Sequence, residues 1–160
     1  QKVQVHFLHP TPPSPKENDE SSERDAELLV VAKAAAKSQL PVIVAGDLND
    51  VAWSTTTRLF RKISGLLDPP IGRGMFNSFH AKYPFIRWPL DHLFHSRHFL
   101  LVDIRRLPSI GSDHIPMLIR LAYVPEKGKE QDGIEADDAE RALAKEKMDE
   151  VKSGSVHTPG

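Results

Sequence analysis

The chain contains no cysteine, and none of its hydrophobic runs is long enough to cross a membrane. Without cysteine, these 160 residues can form neither a disulfide nor a thiolate metal site. A membrane-spanning helix needs about 20 consecutive apolar residues. Since 39% of the residues are hydrophobic and 27% are charged, the composition indicates a domain that folds around an ordinary apolar core.

A strong net charge is also missing, since the formal charge at pH 7 is only −1. Residues 1–124 carry 15 Lys and Arg against 12 Asp and Glu, whereas residues 125–160 carry 6 against 10. The small basic excess of the first part argues weakly against tight, unspecific binding of nucleic acid, which needs several phosphate contacts. We therefore divide the chain into a body, residues 1–124, and an acidic tail, residues 125–160, which is helical or disordered.

Strand and helix patterns alternate along the body. Short β-branched or apolar runs predict strands, and the polar and alanine-rich segments between the first of them predict helices. In the second predicted helix, Ser54 is placed to cap the N-terminus and Gly65 to end the C-terminus. The predicted order is "VQVHFL" strand, "ENDESSERDAELLVVAKAAAKS" helix, "VIVAG" strand, "STTTRLFRKISG" helix, then strands "PLDHLFHS", "FLLVDIRRL" and "IPMLIRLAYV". This order predicts an α/β fold.

Polar residues stand at the ends of three of these strands. Asp47 and Asn49 follow "VIVAG", Asp91 opens "DHLF", and Asp113 and His114 precede "IPMLIRLAYV". Any one of them is explained as a turn former whose side chain caps local backbone. Because α/β sheets bind ligands at strand ends, the three places together predict one shared site.

The residue types at these places fit one kind of chemistry. Carboxylates without cysteine suit a hard cation such as Mg²⁺. A histidine held by a carboxylate is a tuned base or an electrostatic stabiliser, and an asparagine can orient a water molecule or a phosphate oxygen. Together these groups predict metal-assisted attack of water on a phosphoester.

The motifs "GDLN", "LDHLF" and "GSDH", in this order, resemble the later motifs of the endonuclease/exonuclease/phosphatase superfamily. The resemblance extends over about residues 3–123. It implies a four-layer α/β sandwich and hydrolysis of phosphodiesters or phosphomonoesters with Mg²⁺ or Mn²⁺. It also implies that Asp47 and Asn49 position the nucleophile, the metal and the phosphate, and that Asp113 lies next to the metal.

The same resemblance assigns roles to the histidines. It implies that His114 is the catalytic histidine and that Asp91 hydrogen-bonds and orients it. His9, in "FLHPTPP", stands where deoxyribonuclease-like members have a second active-site histidine, and His6 is a nearby alternative.

Two elements of the family pattern are missing from the chain: an asparagine on the first strand and a glutamate in a Gln-Glu pair. The glutamates before Asp47 lie in a loop and at a helix start. We therefore expect the C-terminal half of the sandwich, a mostly antiparallel sheet with helices on one face, with an incomplete metal site and little or no activity alone. A lone half exposes one sheet face, which we expect a second copy or a missing N-terminal half to cover.

A bacterial subgroup of the superfamily resembles the chain most, through "VIVAGDLN", a following "W-S", "GRG", and "PLDHLF" to "IGSDHIPM". Members of this subgroup often follow N-terminal membrane helices. The resemblance thus implies a parent protein that is membrane-anchored, and a membrane-associated or extracytoplasmic location through an N-terminal region. The substrate is a phosphoester, for which nucleic acid and phospholipid head groups are both candidates.

Other interpretations remain open at this point. The chain could be a non-catalytic interaction module that kept the scaffold. A metal-binding histidine-rich domain would need His92, His95 and His98 to converge, which the geometry of a strand disfavours. Trp53 either lines a substrate cleft or packs beneath the helix that follows it.

Overall fold

The computed structural model describes residues 2–10, 18–70, 73–74, 76–83, 85, 87–130 and 134–154. Within these ranges it contains five β-strands, three α-helices and one short 3₁₀ helix. In chain order they are β1 (Gln4–Leu8), α1 (Asn18–Lys37), β2 (Val42–Asp47), α2 (Thr55–Ser64), β3 (Asp91–His95), β4 (Phe99–Arg106), β5 (Met117–Tyr123), the 3₁₀ helix (Pro125–Glu130) and α3 (Asp138–Gly154).

The strands form two sheets. In the first, β2 is central, parallel to β1 and antiparallel to β3. In the second, β4 and β5 form an antiparallel pair. The register of the first sheet places Leu8 opposite Gly46 and Asp47 opposite Asp91. The predicted α/β class is confirmed, and two of the three strand pairings are antiparallel.

The core lies between the first sheet and the helices. Because side chains alternate along a strand, Val42 and Val44 point to one face and are buried there with Phe94 of β3. They pack against α1 and α2, where the rings of Phe60 and Phe94 lie 4.9 Å apart. Ser54 caps α2 by accepting a hydrogen bond from the backbone N–H of Thr57, as predicted.

The opposite face of β1 is uncovered. Val3, Val5 and Phe7 are 40%, 46% and 82% exposed, although Leu8 packs against the core on the other face. Three neighbouring apolar side chains in water form an exposed apolar patch on this face of the first sheet.

Helix α3 falls within the predicted tail and packs against the other two helices. Ala144 is fully buried with Leu29 of α1 and Leu59 of α2. An ion pair between Lys62 and Glu140 adds a second link between α2 and α3. The tail therefore contains an ordered helix that extends the helical layer.

A buried carboxylate joins α1 to both neighbouring helices. Asp25 accepts hydrogen bonds from Thr56 Oγ1 at 2.7 Å, from Lys147 Nζ at 2.6 Å and from Arg24 Nη2 at 3.0 Å. Burial raises the pKa of Asp25, but the hydrogen bonds from Lys147, Thr56 and Arg24 together outweigh it and lower the pKa. The carboxylate is therefore ionised in the folded protein.

Gly46 lies where the backbones of β1 and β2 approach closely, so a substitution at this position tests that approach. Its φ is +151°, and an added Cβ would overlap the backbone carbonyl of Leu8. We expect Gly46→Ala to lower the free energy of unfolding by about 3 kcal/mol or more, since backbone cannot move aside as a side chain can. Gly65→Ala is the matched control, because its φ is also positive but the space around it is open. It should cost about 1–2 kcal/mol. Urea unfolding measures the free energy of unfolding of both variants. Equal losses in the two would show that the contact with Leu8 does not restrict the residue at position 46.

Asp25 predicts a pH-dependent stability. A carboxyl group whose pKa is lowered by folding stabilises the protein above its unfolded pKa, at about pH 4, and loses that contribution as the pH falls through the folded value. We expect Asp25→Asn to cost about 1–3 kcal/mol at neutral pH and progressively less below about pH 4. Asp103→Asn, which removes a surface ion pair with Arg120, should cost less than about 1 kcal/mol. A penalty for Asp25→Asn that does not change between pH 7 and pH 3 in urea unfolding would contradict this.

Candidate active site

Three of the predicted residues meet around one imidazole. His114 Nδ1 lies 2.7 Å from Asp91 Oδ2, and His114 Nε2 lies 3.5 Å from Asp47 Oδ2. The two aspartates are brought together because they face each other in the register of β2 and β3. His114 comes from the loop before β5, where it forms an isolated bridge with Phe79. The ring is thus held between two carboxylates from neighbouring strands.

The surroundings of His114 favour its protonated form. Burial lowers its pKa, but the hydrogen bond to Asp91 and the negative charges of Asp91, Asp47 and Asp113 outweigh burial and raise the pKa above its ordinary value. A carboxylate on one ring nitrogen fixes the orientation of the ring and stabilises the imidazolium. This pair of groups can accept and hold a proton at Nε2.

Asn49 follows Asp47 in a strained backbone conformation. Its φ is +48°, a region that asparagine tolerates better than most residues. Its backbone N–H donates to Asp47 Oδ1 at 2.8 Å, and its side-chain Nδ2 donates to the carbonyl of Pro10 at 2.9 Å. Since the amide nitrogen is committed to Pro10, the amide oxygen is directed away from it.

The end of β1 brings one of the two candidate histidines to the site. His9 Nε2 lies 3.9 Å from Asp47 Oδ2, and its side chain is 76% exposed. His6 lies within β1, and its Nε2 is hydrogen-bonded to the side-chain amide of Gln4 at 2.9 Å. The structure therefore places His9 beside Asp47 and gives His6 a partner in its own strand.

Asp113 is exposed at the mouth of the site. Its carboxylate accepts from Ser112 Oγ at 3.3 Å, and its backbone carbonyl accepts from the N–H of Ala81 at 2.6 Å. The described residues contain no group of three or more His, Asp or Glu side chains that could hold a metal ion. Asp47 and Asp113 supply oxygen ligands of the kind that Mg²⁺ prefers, but these residues do not make a complete metal site.

The three regularly spaced histidines serve other contacts. His92 Nε2 is hydrogen-bonded to the carbonyl of Asp50 at 2.9 Å, and its ring stacks on Phe94. His95 is buried and hydrogen-bonded to the carbonyl of Ser96, whereas His98 is bonded to Ser96 Oγ. His92 thus bonds to Asp50, whereas His95 and His98 bond to two different atoms of Ser96, and the three rings do not form a metal-binding group.

Sequence reasoning missed Phe79 and Ser78. The ring of Phe79 lies 5.0 Å from that of His114, and the buried Ser78 Oγ accepts from the N–H of Asp91 at 3.3 Å. Both lie in an irregular segment, where periodicity carries no signal. The only available sign was their position between a glycine-rich loop and the Asp91 motif.

Two aromatic rings stand exposed near the site. Trp53 and Trp88 are 51% and 47% exposed, with ring centroids 6.4 Å apart. Trp53 lines a cavity of about 620 Å³ together with Ala45, Asp91 and Leu93. Of its two predicted positions, Trp53 thus occupies the one that lines a cleft.

None of the helices in the described ranges combines the length and the apolar character that crossing a bilayer requires.

Comparison with solved structures supports the fold. The chain is similar to a functionally unknown conserved protein from Enterococcus faecalis, with a TM-score of 0.57 and 21% identity over 74% of this chain and 49% of that one. It is also similar to the human Nocturnin catalytic domain with bound sulfate anion, with a TM-score of 0.55 and 17% identity over 76% and 47%. The chain thus spans about half the length of these proteins.

Comparison of sequences identifies the family. A search of curated protein sequences returned no significant match. The profile of the Endonuclease/Exonuclease/phosphatase family, in contrast, matches residues 2–114, which include the motifs that carry Asp47, Asp91 and His114. The chain therefore belongs to the Endonuclease/Exonuclease/phosphatase family.

Proposed function

We propose that the chain is the C-terminal half of a phosphoesterase that depends on Mg²⁺ or Mn²⁺. The observation that carries this proposal is the position of His114, whose two ring nitrogens face Asp91 and Asp47 at 2.7 Å and 3.5 Å. An arrangement of this kind serves hydrolysis, because one nitrogen is anchored while the other exchanges a proton with the reacting group.

His114 assists the attack of water. In the neutral ring, Nδ1–H donates to Asp91, so Nε2 is the atom that takes a proton from the attacking water. The imidazolium that forms is stabilised by the carboxylates of Asp91 and Asp47. Asn49 positions the phosphate or the water, and His9 is a second polar contact for the substrate at the open side of Asp47.

Asp47 and Asp113 are the residues of this chain that would hold the metal. Enzymes of the family generally use divalent metals, and such an ion would supply positive charge to the phosphoryl oxygens. Since the described residues do not complete a metal site, we propose that the other ligands come from outside this chain and that the chain alone has little or no activity.

The covering of the β1 face follows from the same proposal. Val3, Val5 and Phe7 are exposed on the face of the first sheet that is turned away from the helices. In a four-layer sandwich such a face packs against further sheet, so we propose that an N-terminal half or a second copy of the chain covers it. The location next to a membrane, and nucleic acid or a phospholipid head group as the substrate, remain predictions from the sequence.

The proposal predicts the effect of removing His114. In the protein that contains both halves of the domain, His114→Ala should lower Mn²⁺- or Mg²⁺-dependent hydrolysis of bis-p-nitrophenyl phosphate by about 10²–10⁴-fold, because the proton acceptor is lost. His98→Ala is the matched control, since His98 is bonded to Ser96 away from the site. The isolated chain should show little or no metal-dependent hydrolysis.

A complete protein that binds Mn²⁺ but hydrolyses neither diesters nor monoesters would contradict the proposal. It would favour instead a non-catalytic interaction module. Equal losses in His114→Ala and His98→Ala would likewise show that the first substitution acts through folding and not through catalysis.

The pKa of His114 gives a prediction that needs no activity. Since the Asp91 carboxylate raises this pKa, Asp91→Asn should lower it, because burial then acts against a weaker opposing charge. The measurement is an NMR titration of the His114 ring protons in the metal-free chain. A pKa that stays the same or rises in Asp91→Asn would contradict the assigned pairing.

A further inference from the structure

A chain of charged contacts leads from α3 to the loop that carries Asn49. Lys147 Nζ donates to Asp25 Oδ2 at 2.6 Å. Arg24 Nη2 donates to Asp25 Oδ1 at 3.0 Å, and Arg24 Nη1 donates to the backbone carbonyl of Asn49 at 3.1 Å. Helix α3 begins after residue 114, the last residue that the family profile matches. The contacts therefore connect a segment outside the matched region to a residue inside the site.

The middle of this chain of contacts is buried. The side chains of Arg24 and Asp25 are 11% and 8% exposed, and Thr56 Oγ1 adds a further hydrogen bond to Asp25. Charge-assisted hydrogen bonds are shorter and stronger than neutral ones, and a low local dielectric strengthens them further. Because the guanidinium group is planar, its bond to Asp25 also fixes the position from which Nη1 donates to the carbonyl of Asn49.

Asn49 depends on such external contacts. Asparagine tolerates a φ of +48° better than most residues, but the right-handed region is still preferred, so contacts from its neighbours hold Asn49 there. Two of its contacts come from the site itself, namely Asp47 Oδ1 and the carbonyl of Pro10. The contact with Arg24 comes from the helical layer and fixes the carbonyl that follows the strained φ.

We propose that Arg24, held by Asp25 and Lys147, is a positioning residue for Asn49, and that α3 is thereby a working part of the site. The contacts described above support the positioning of the loop that carries Asn49, whereas the consequence for hydrolysis rests on the proposed function. Arg24 acts through Asn49, so its loss should affect how the site is arranged by more than the accompanying loss of overall stability explains.

The first experiment measures the arrangement without substrate. Lys147→Gln removes the bond to Asp25, and Glu140→Gln is the matched control, since it removes a different ion pair of α3, to Lys62. We expect hydrogen exchange of the Asn49 backbone amide, followed by NMR in the full chain, to speed up about tenfold in Lys147→Gln. It should stay the same in Glu140→Gln, and Lys147→Arg should restore slow exchange. The amide of the buried Ala32 reports any loss of overall stability, so an acceleration at Asn49 that exceeds the one at Ala32 shows that the change is local.

The second experiment measures kinetics in the protein that contains both halves of the domain. Lys147→Gln should lower kcat about tenfold and leave KM unchanged, since a displaced Asn49 weakens contacts made in the transition state. Lys147→Arg should restore kcat, and Glu140→Gln should not change it.

Two results would overturn the positioning role: equal acceleration of exchange in Lys147→Gln and Glu140→Gln, or none in Lys147→Gln. Failure of the proposed function is a different observation, namely the expected exchange pattern in a complete protein that hydrolyses no phosphoester. Faster exchange in Lys147→Gln together with an unchanged kcat in an active enzyme would overturn the link between α3 and hydrolysis.

Discussion

The close approach of β1 to the end of β2 is the constraint on which the site depends. A side chain at Gly46 would occupy the place of the Leu8 carbonyl, so only glycine lets the two strands run side by side to their ends. As a result, the residues after β1 lie beside those after β2. His9 then stands next to Asp47, and the carbonyl of Pro10 receives the side-chain amide of Asn49. The polar groups of two separate segments are thus placed by one backbone contact.

The site also joins the two sheets. Asp47 and Asp91 belong to the first sheet, whereas His114 comes from the loop that leads into β5 of the second. Phe79 links them, since it forms bridges with both Trp88 and His114 and its ring contacts that of His114. The strong hydrogen bond between His114 and Asp91 therefore does two things: it sets the proton affinity of the ring and it ties one sheet to the other.

What the sequence predicts well is what local chemistry decides. The caps of α2, the strands around it and the polar residues at the strand ends all follow from residues close together in the chain. The choice between His6 and His9 does not, because it depends on which strand lies alongside β1. The packing of α3 could not be predicted from the sequence either. Its buried residue is an alanine, Ala144, and its bond to Asp25 spans more than 120 residues. A sparse apolar pattern gives no sign that a helix docks through a small buried residue and ion pairs to both neighbouring helices.

Within the site, the side chains around His114 and Asn49 differ from the possible metal ligands in how many partners they have. The groups that we propose handle the proton and position the phosphate or the water are complete in this chain: His114 has a carboxylate on each side, and Asn49 is held from three directions. The groups that would hold a metal are not, since the described residues offer no cluster of three ligands. The packing of β1 is incomplete in a similar way, since its apolar face is exposed in the described residues. The contacts that hold His114 and Asn49 all lie within this chain, in the first sheet, the helical layer and the loop that leads into β5 of the second sheet. In the proposed function the metal takes further ligands from a second body, and covering Val3, Val5 and Phe7 would supply binding energy for that body. On that proposal, burial of that face and completion of the metal site would be one event, and catalysis would be conditional on assembly.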